Sequence, residues 1–200
     1  MTPRSAGLPW DFAPFATERL RMRLMTPDDV DDVHAYLSRE DVTRYLTHGP
    51  STRDQVAEKV AMYAAATRIE KDDDWIEPAI ELDGRVIGHL YLRVHSLEHR
   101  GAEIGWTVHP DAQGRGYAIE GATALLDIAF GELGMHRVRA ELDPRNDGST
   151  GLCRRLGMRE EARHVRDFHD ERIPGGWGDT GVWAILDEEW AARRDVTPAP

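Results

Sequence analysis

The chain has 200 residues, 40% of them hydrophobic, with 36 acidic against 25 basic side chains and a net charge of −11. That length suits one domain with a core of its own, and no apolar run approaches the ~18 residues that a membrane span needs. The acidic balance argues against binding a nucleic-acid phosphate backbone and favours cationic substrates, while the single cysteine, Cys153, excludes an internal disulfide framework and fits a reducing cytoplasm.

Residues 1–16 hold Pro3, Pro9 and Pro14 among isolated rings (Trp10, Phe12, Phe15) and no apolar h-region. They read as an arm docked by its rings, without a signal peptide, ahead of one domain over 17–192 and a short tail at 193–200. Leu20, Met22 and Leu24 alternate with Arg19, Arg21 and Arg23, the period of a strand with one wet face. Thr26-Pro27-Asp28-Asp29 marks a helix start, with its acids on the positive end of the dipole. A capping-box pattern at Ser51-Thr52-Arg53-Asp54 opens a second helix toward Glu70. Strands are expected over 75–82 and 86–94, joined at Asp83-Gly84. His95 and His99 flank a polar turn with no further ligand nearby, so they read as loop histidines, and no metal site is expected.

The stretch 103–118, EIGWTVHPDAQGRGYA, is the most informative. Ala102, Ile104, Trp106 and Val108 alternate with polar or small residues, and Pro110 ends the ladder because it has no N–H to donate. Gln113-Gly114-Arg115-Gly116-Tyr117-Ala118 then runs into Ala122, Leu125, Leu126, Ala129, Phe130 and Leu133 at helical spacing. Strand, glycine-rich turn and helix N-terminus together make a cradle for an anion, with free N–H groups that glycines leave approachable. The third glycine of a dinucleotide fingerprint is missing, since Ile119 stands there. Downstream, a strand is expected over 136–143, a short helix capped by Ser149 and ended by Gly157, strands over 159–168 and 182–186, and a helix over 187–194. The intervening loop 169–181 contains GWGDTG, but a strand rather than a helix follows it, so it reads as a turn and not a nucleotide site.

Gln113-x-x-Gly116-x-Ala118, preceded by EIGW and followed by Asn146-x-x-Ser149 and Leu156-Gly157-Met158, resembles the GNAT superfamily of acyl-CoA-dependent N-acyltransferases. The order of these motifs is similar to its RimJ/RimL-like branch of protein N-terminal and small-amine acetyltransferases. The resemblance implies an α/β (α+β) fold, with a mixed, twisted, splayed central sheet and helices on both faces. It implies acetyl-CoA in the splay, its pantetheine along the backbone of 106–108 (Trp106, Val108) and its pyrophosphate on the N–H groups of Gly114, Arg115, Gly116, Tyr117 and Ala118. Gln113, Asn146 and Ser149 would help to hold it, and Arg115, Arg154 or Arg155 would reach the phosphates.

The reaction implied is direct attack of a neutral amine on a thioester, with a backbone N–H near Val108 receiving the oxyanion. Glu103 is the candidate for taking the ammonium's proton through water. Many members place a tyrosine where this chain has Cys153, so Ser149 is the substitute acid, and Cys153 is expected to be a packing residue. The acceptor is a protein N-terminus or a small-molecule amine, with Trp177 and the acids of its loop as a substrate contact unless that ring is a core residue. A homodimer is left open. A larger acyl donor such as succinyl-CoA, or a non-catalytic acyl-CoA sensor, would use the same cofactor motif.

Overall fold

The computed structural model describes residues 7–196. Strands β1 (Trp10–Asp11), β2 (Phe15–Ala16) and β3 (Arg21–Arg23) lead through a 3-10 turn (Pro27–Asp29) to helices α1 (Val30–Leu37), α2 (Glu40–Thr43) and α3 (Arg53–Ala65). Then come β4 (Arg68–Ile69), β5 (Trp75–Ile76), β6 (Ala79–Leu82), β7 (Arg85–Ser96) and β8 (Gly101–Val108). Helix α4 (Tyr117–Asp127) runs on as a π turn (Ile128–Glu132) before β9 (Arg137–Leu142), α5 (Asp147–Leu156), β10 (Arg159–His169), β11 (Trp177–Leu186) and α6 (Asp187–Val196).

The mixed sheet has the order β10-β11-β9-β8-β7-β6-β3-β2, with β5 on the side of β7, and β1 and β4 form a separate ladder. Among the described residues only β8 and β9 pair in parallel, and only from Gly101↔Arg137 to Glu103↔Arg139. Past Glu103 the two strands part, β8 keeping β7 and β9 keeping β11. Two cores hold the faces. On one, Leu90, Leu92, Ile104 and Ala140 pack with Leu125 of α4, Leu152 of α5 and Trp190 of α6. On the other, Val33 and Tyr36 of α1 and Val56, Val60 and Tyr63 of α3 cover Ala79 and Val86. Period-2 burial along β7 and β8 is what lets one strand serve both faces.

Several expectations shift. The second helix stops at Ala65 rather than near Glu70, because Arg68–Ile69 leaves it to pair with Trp10–Asp11. Its capping box is formed by Thr52 with Gln55, not by Ser51 with Asp54. Ser149 does not cap α5: Asn146 does, its Oδ1 accepting from the N–H of Ser149 at 3.1 Å. His95 lies on β7 with its ring against Gly101, where a Cβ would stand 2.4 Å from it, so it is not a loop residue. The loop expected over 169–181 shrinks to 170–176, since β11 begins at Trp177. Gly178 there faces the Phe168 ring so closely that a Cβ would stand 2.2 Å from it, which ties that glycine to the hairpin's packing. Residues 10–16, read as an arm, carry β1 and β2 and bury Phe12; residues 1–6 and 197–200 of the expected arm and tail lie outside the described residues.

Candidate active site

The parting of β8 and β9 opens a cavity of about 650 Å³ that runs from the Gln113–Ile119 turn to α2. That volume lies within the range of small-molecule and cofactor sites. One wall is Trp106, Thr107 and Val108, and the opposite wall is Asn146, Ser149 and Leu152 at the start of α5. The indole N–H of Trp106 spans the gap to Ser149 Oγ at 3.3 Å. Asp41 and Tyr45 stand at the end toward α2.

The turn is built as an anion cradle. Gly114 and Gly116 have φ of +73° and +85°, left-handed values that a β-carbon disfavours. The first N–H of α4 with a helical acceptor is that of Glu120, on the Gly116 carbonyl at 3.1 Å, so those of Tyr117, Ala118 and Ile119 precede the ladder at the positive end of the dipole. Gln113 fixes the turn to the strand, its Nε2 donating to the Val108 carbonyl at 3.0 Å. The N–H of His109 bonds Ile87 of β7 at 2.8 Å. Successive N–H groups of a strand point to opposite edges, so that of Val108 faces the parted edge of β8.

Of the residues singled out from sequence, Trp106, Val108, Gln113, Gly114, Gly116, Tyr117, Ala118, Asn146 and Ser149 all line this one cavity. Arg115 does not; it is exposed, and its carbonyl accepts from Arg19 at 3.0 Å. Arg155 lines the cavity, whereas Arg154 lies over the Trp183 ring at 5.3 Å. Cys153 is wholly buried and its thiol is pushed up to about 12 by that burial, which suits packing and not nucleophilic use. Glu103 stands at the apex of the splay, its Oε2 bonded by Arg139 at 3.0 Å. Trp177 is 45% exposed, edge-on to His169, so it is not a core residue, and it stands outside the cavity lining.

Two groups of residues were not singled out. Arg19 locks the N-terminus of α4, bonding Glu120 at 2.7 Å and lying over the Tyr117 ring at 4.7 Å; only the fold brings positions 19 and 120 together. The second group is a buried chain on the face covered by α1 and α3. Tyr36 Oη is 2.8 Å from His89 Nδ1, His89 Nε2 is 3.2 Å from Glu77 Oε1, and Tyr63 interacts with the same carboxylate. Burial pushes Glu77 up from 4.5 to about 8 and His89 down from 6.5 to about 3, so both are held neutral near pH 6.

Linkage fixes the signs. Between pH 4.5 and 8 the folded state keeps the Glu77 proton that the unfolded chain has lost, so this term removes stability as pH rises. Below 6.5 the unfolded chain protonates its histidine first, so the His89 term removes stability as pH falls. From pH 6.5 to 8 the Glu77 term therefore acts alone in this pair. The melting temperature of the wild type should fall relative to that of Glu77→Gln across this interval by roughly 2–4 °C or more, the scale of a ~1 kcal/mol change in a chain of this size. Parallel curves in differential scanning calorimetry would show that Glu77 is ionised throughout.

Known proteins share the sequence and the fold of this chain. The family profile of an acetyltransferase (GNAT) domain matches residues 19–159. An uncharacterized N-acetyltransferase of Bacillus subtilis (strain 168), YnaD, is 33% identical over 177 residues, covering 87% of this chain and 97% of that protein. The spermidine N(1)-acetyltransferase of Escherichia coli (strain K12) is 24% identical over 149 residues, covering 74% of this chain and 77% of its own. The crystal structure of a GNAT-family acetyltransferase from Bacillus anthracis superposes with a TM-score of 0.77 at 30% identity, covering 88% of this chain and all of that one. With that match over most of its length, this chain belongs to the GNAT acetyltransferases.

Proposed function

We propose that this protein is a cytoplasmic N-acetyltransferase of the RimJ/RimL-like kind, moving the acetyl group of acetyl-CoA to a primary amine in a ternary complex. The observation that carries the reading is the cavity between β8 and β9, which ends on the free N–H groups of α4 beside Gly114 and Gly116. Pyrophosphate charge is favoured there, and the Val108 N–H at the parted edge supplies a donor for the oxyanion. The hydroxyl of Ser149 is the candidate proton donor to the leaving thiolate, a modest task for a thiol with a reference pKa near ~8.5. Glu103 is the carboxylate set against the acceptor's ammonium, drawing its proton toward water. The acceptor is a small-molecule amine or a protein N-terminus; a spermidine acetyltransferase among the relatives favours the small amine. The test is a panel of amines and peptides with acetyl-, propionyl- and succinyl-CoA, followed by mass spectrometry. Acetylated product with free CoA is expected, and acyl-CoA binding without release on any amine would make the protein a sensor.

Three substitutions separate the parts. Gly116→Val puts a branched side chain at a left-handed position in the cradle and should weaken acetyl-CoA at least tenfold, about 1.4 kcal/mol, in calorimetry on protein whose circular dichroism is unchanged. Unaltered affinity would move the phosphates elsewhere. Glu103→Gln should lower kcat and leave acetyl-CoA binding intact; a wild-type rate at every pH would reduce Glu103 to a partner of Arg139.

Trp177 is proposed as an acceptor contact through its ring face. Arg172 in the same hairpin loop bonds the carbonyls of Thr43, Leu46 and His48, next to the α2 end of the cavity. Trp177→Ala should then raise KM for the amine severalfold with acetyl-CoA affinity unchanged, and an unchanged KM would leave recognition to the α1–α3 side.

A further inference from the structure

Proton removal from the acceptor needs a carboxylate, and that of Glu103 is shared with Arg139, which gives two N–H groups to its Oε2. A second carboxylate lies on the same face of the sheet. Register places His89 opposite Thr107, Tyr91 opposite Gly105 and Arg93 opposite Glu103, and directly opposed residues share a face. Thr107 lines the cavity. The buried Glu77–His89 pair is thus one strand from the cleft.

We propose that Glu77 is the final acceptor of the ammonium's proton, which reaches it past Tyr91 through water. This rests on the acetyltransferase reading and deepens it. Tyr63, Trp75 and Tyr91 wall the carboxylate, Trp75 standing 6.1 Å from Tyr63 and 6.5 Å from Tyr91 between ring centroids. Glu77 keeps 12% of its side chain accessible, whereas Tyr36 is wholly enclosed. Gly105 puts no side chain between Tyr91 and β8, and a Cβ there would touch Tyr91, 3.5 Å from its Cβ. The charged and titratable neighbours are known from each packed element. Tyr36 comes from α1, Tyr63 and Lys59 from α3, and His89 and Tyr91 from β7. His48 bears on His89, and Glu103 on Tyr91. No guanidinium is bonded to Glu77, and burial, opposed by the Tyr63 hydrogen bond and the Lys59 charge, holds its affinity for a proton near the pH where the enzyme would work.

The step balances. R–NH3⁺ gives H⁺ to the Glu77 carboxylate, leaving R–NH2 and a carboxylic acid. The amine nitrogen bonds the acetyl carbon, the C–S bond breaks, and the surplus N–H proton passes to the CoA thiolate. Glu77 then releases its proton to solvent through its exposed edge, so one H⁺ is produced per amide formed.

The experiment is a kcat–pH profile from pH 6 to 10 with an amine from the panel, on wild type, Glu77→Gln and Glu103→Gln. It is paired with infrared difference spectra of the protonated carboxyl stretch without amine. Wild-type kcat should rise through a midpoint near pH 8 to a plateau at higher pH. Glu77→Gln should lose that limb and at least tenfold of kcat at pH 8 with acetyl-CoA affinity unchanged, and should lack a carboxyl band that titrates near pH 8. Should Glu77→Gln not fold, Glu77→Asp takes its place, with the limb kept and its midpoint displaced. A folded Glu77→Gln with the wild-type limb, or loss of the limb in Glu103→Gln alone, overturns the proposal and leaves the acetyltransferase reading standing. So does a wild-type spectrum showing Glu77 ionised at pH 6.5. Failure of wild type to acetylate any amine overturns both.

Discussion

Everything at this site depends on the early end of one parallel ladder. β8 and β9 hold each other over three residue pairs and then separate, which leaves one edge of β8 with backbone donors and acceptors and no strand to take them. Unpaired strand groups are costly when buried and useful when a ligand can pair with them. The fold keeps the gap from closing by setting the first turn of α5 in it, where Asn146 caps the helix and the Trp106 indole reaches across to Ser149. The glycine turn then carries the chain from the open strand to a helix whose N-terminus points back at the gap. The slot is thus bordered by unpaired backbone, and its side chains keep it apart.

The two faces of the sheet do different work. The α4–α5–α6 side is closed with apolar side chains and a buried cysteine. The α1–α3 side carries polar residues inside its core: Tyr36, His89, Glu77 and Tyr63, with Asp29 bonded to Arg23 and to the N–H of Thr26. A buried polar chain of that kind is tolerated because its members satisfy one another. The neutral states of His89 and Glu77 avoid the larger penalty of enclosing charge.

Much of this could be read from the amino acids, and the exceptions have physical reasons. The strand–turn–helix unit at 103–133 is local, with period, breaker and glycines all adjacent, and half of the cavity lining comes from it. Asn146 and Ser149 were found by their spacing, yet the capping role was given to the wrong one, since either side chain can accept an N–H and only geometry decides. α2 left no trace in sequence because four residues make no period. The Glu77–His89–Tyr36–Tyr63 chain was invisible for another reason: its members come from α1, α3, β7 and the link between β5 and β6, and Glu77 reads in sequence as an ordinary polar residue of a strand. Arg19 and Arg172 act at range, each clamping a segment about a hundred residues away.

β10, at one edge of the sheet, has a further consequence. It is 11 residues long, mostly exposed, rich in Arg, Glu and Asp, and its register slips at Glu160/Ala162 and His164/Phe168, with Arg166 at a φ of +53°. The opposite edge, β2, is two residues long. Charge, bulges and brevity are the means by which sheets resist the addition of a foreign strand. An acidic protein with both sheet ends blunted in this way can be kept concentrated without fibrous aggregation, and any association between copies would have to use side-chain surfaces rather than a sheet continued from one molecule into the next.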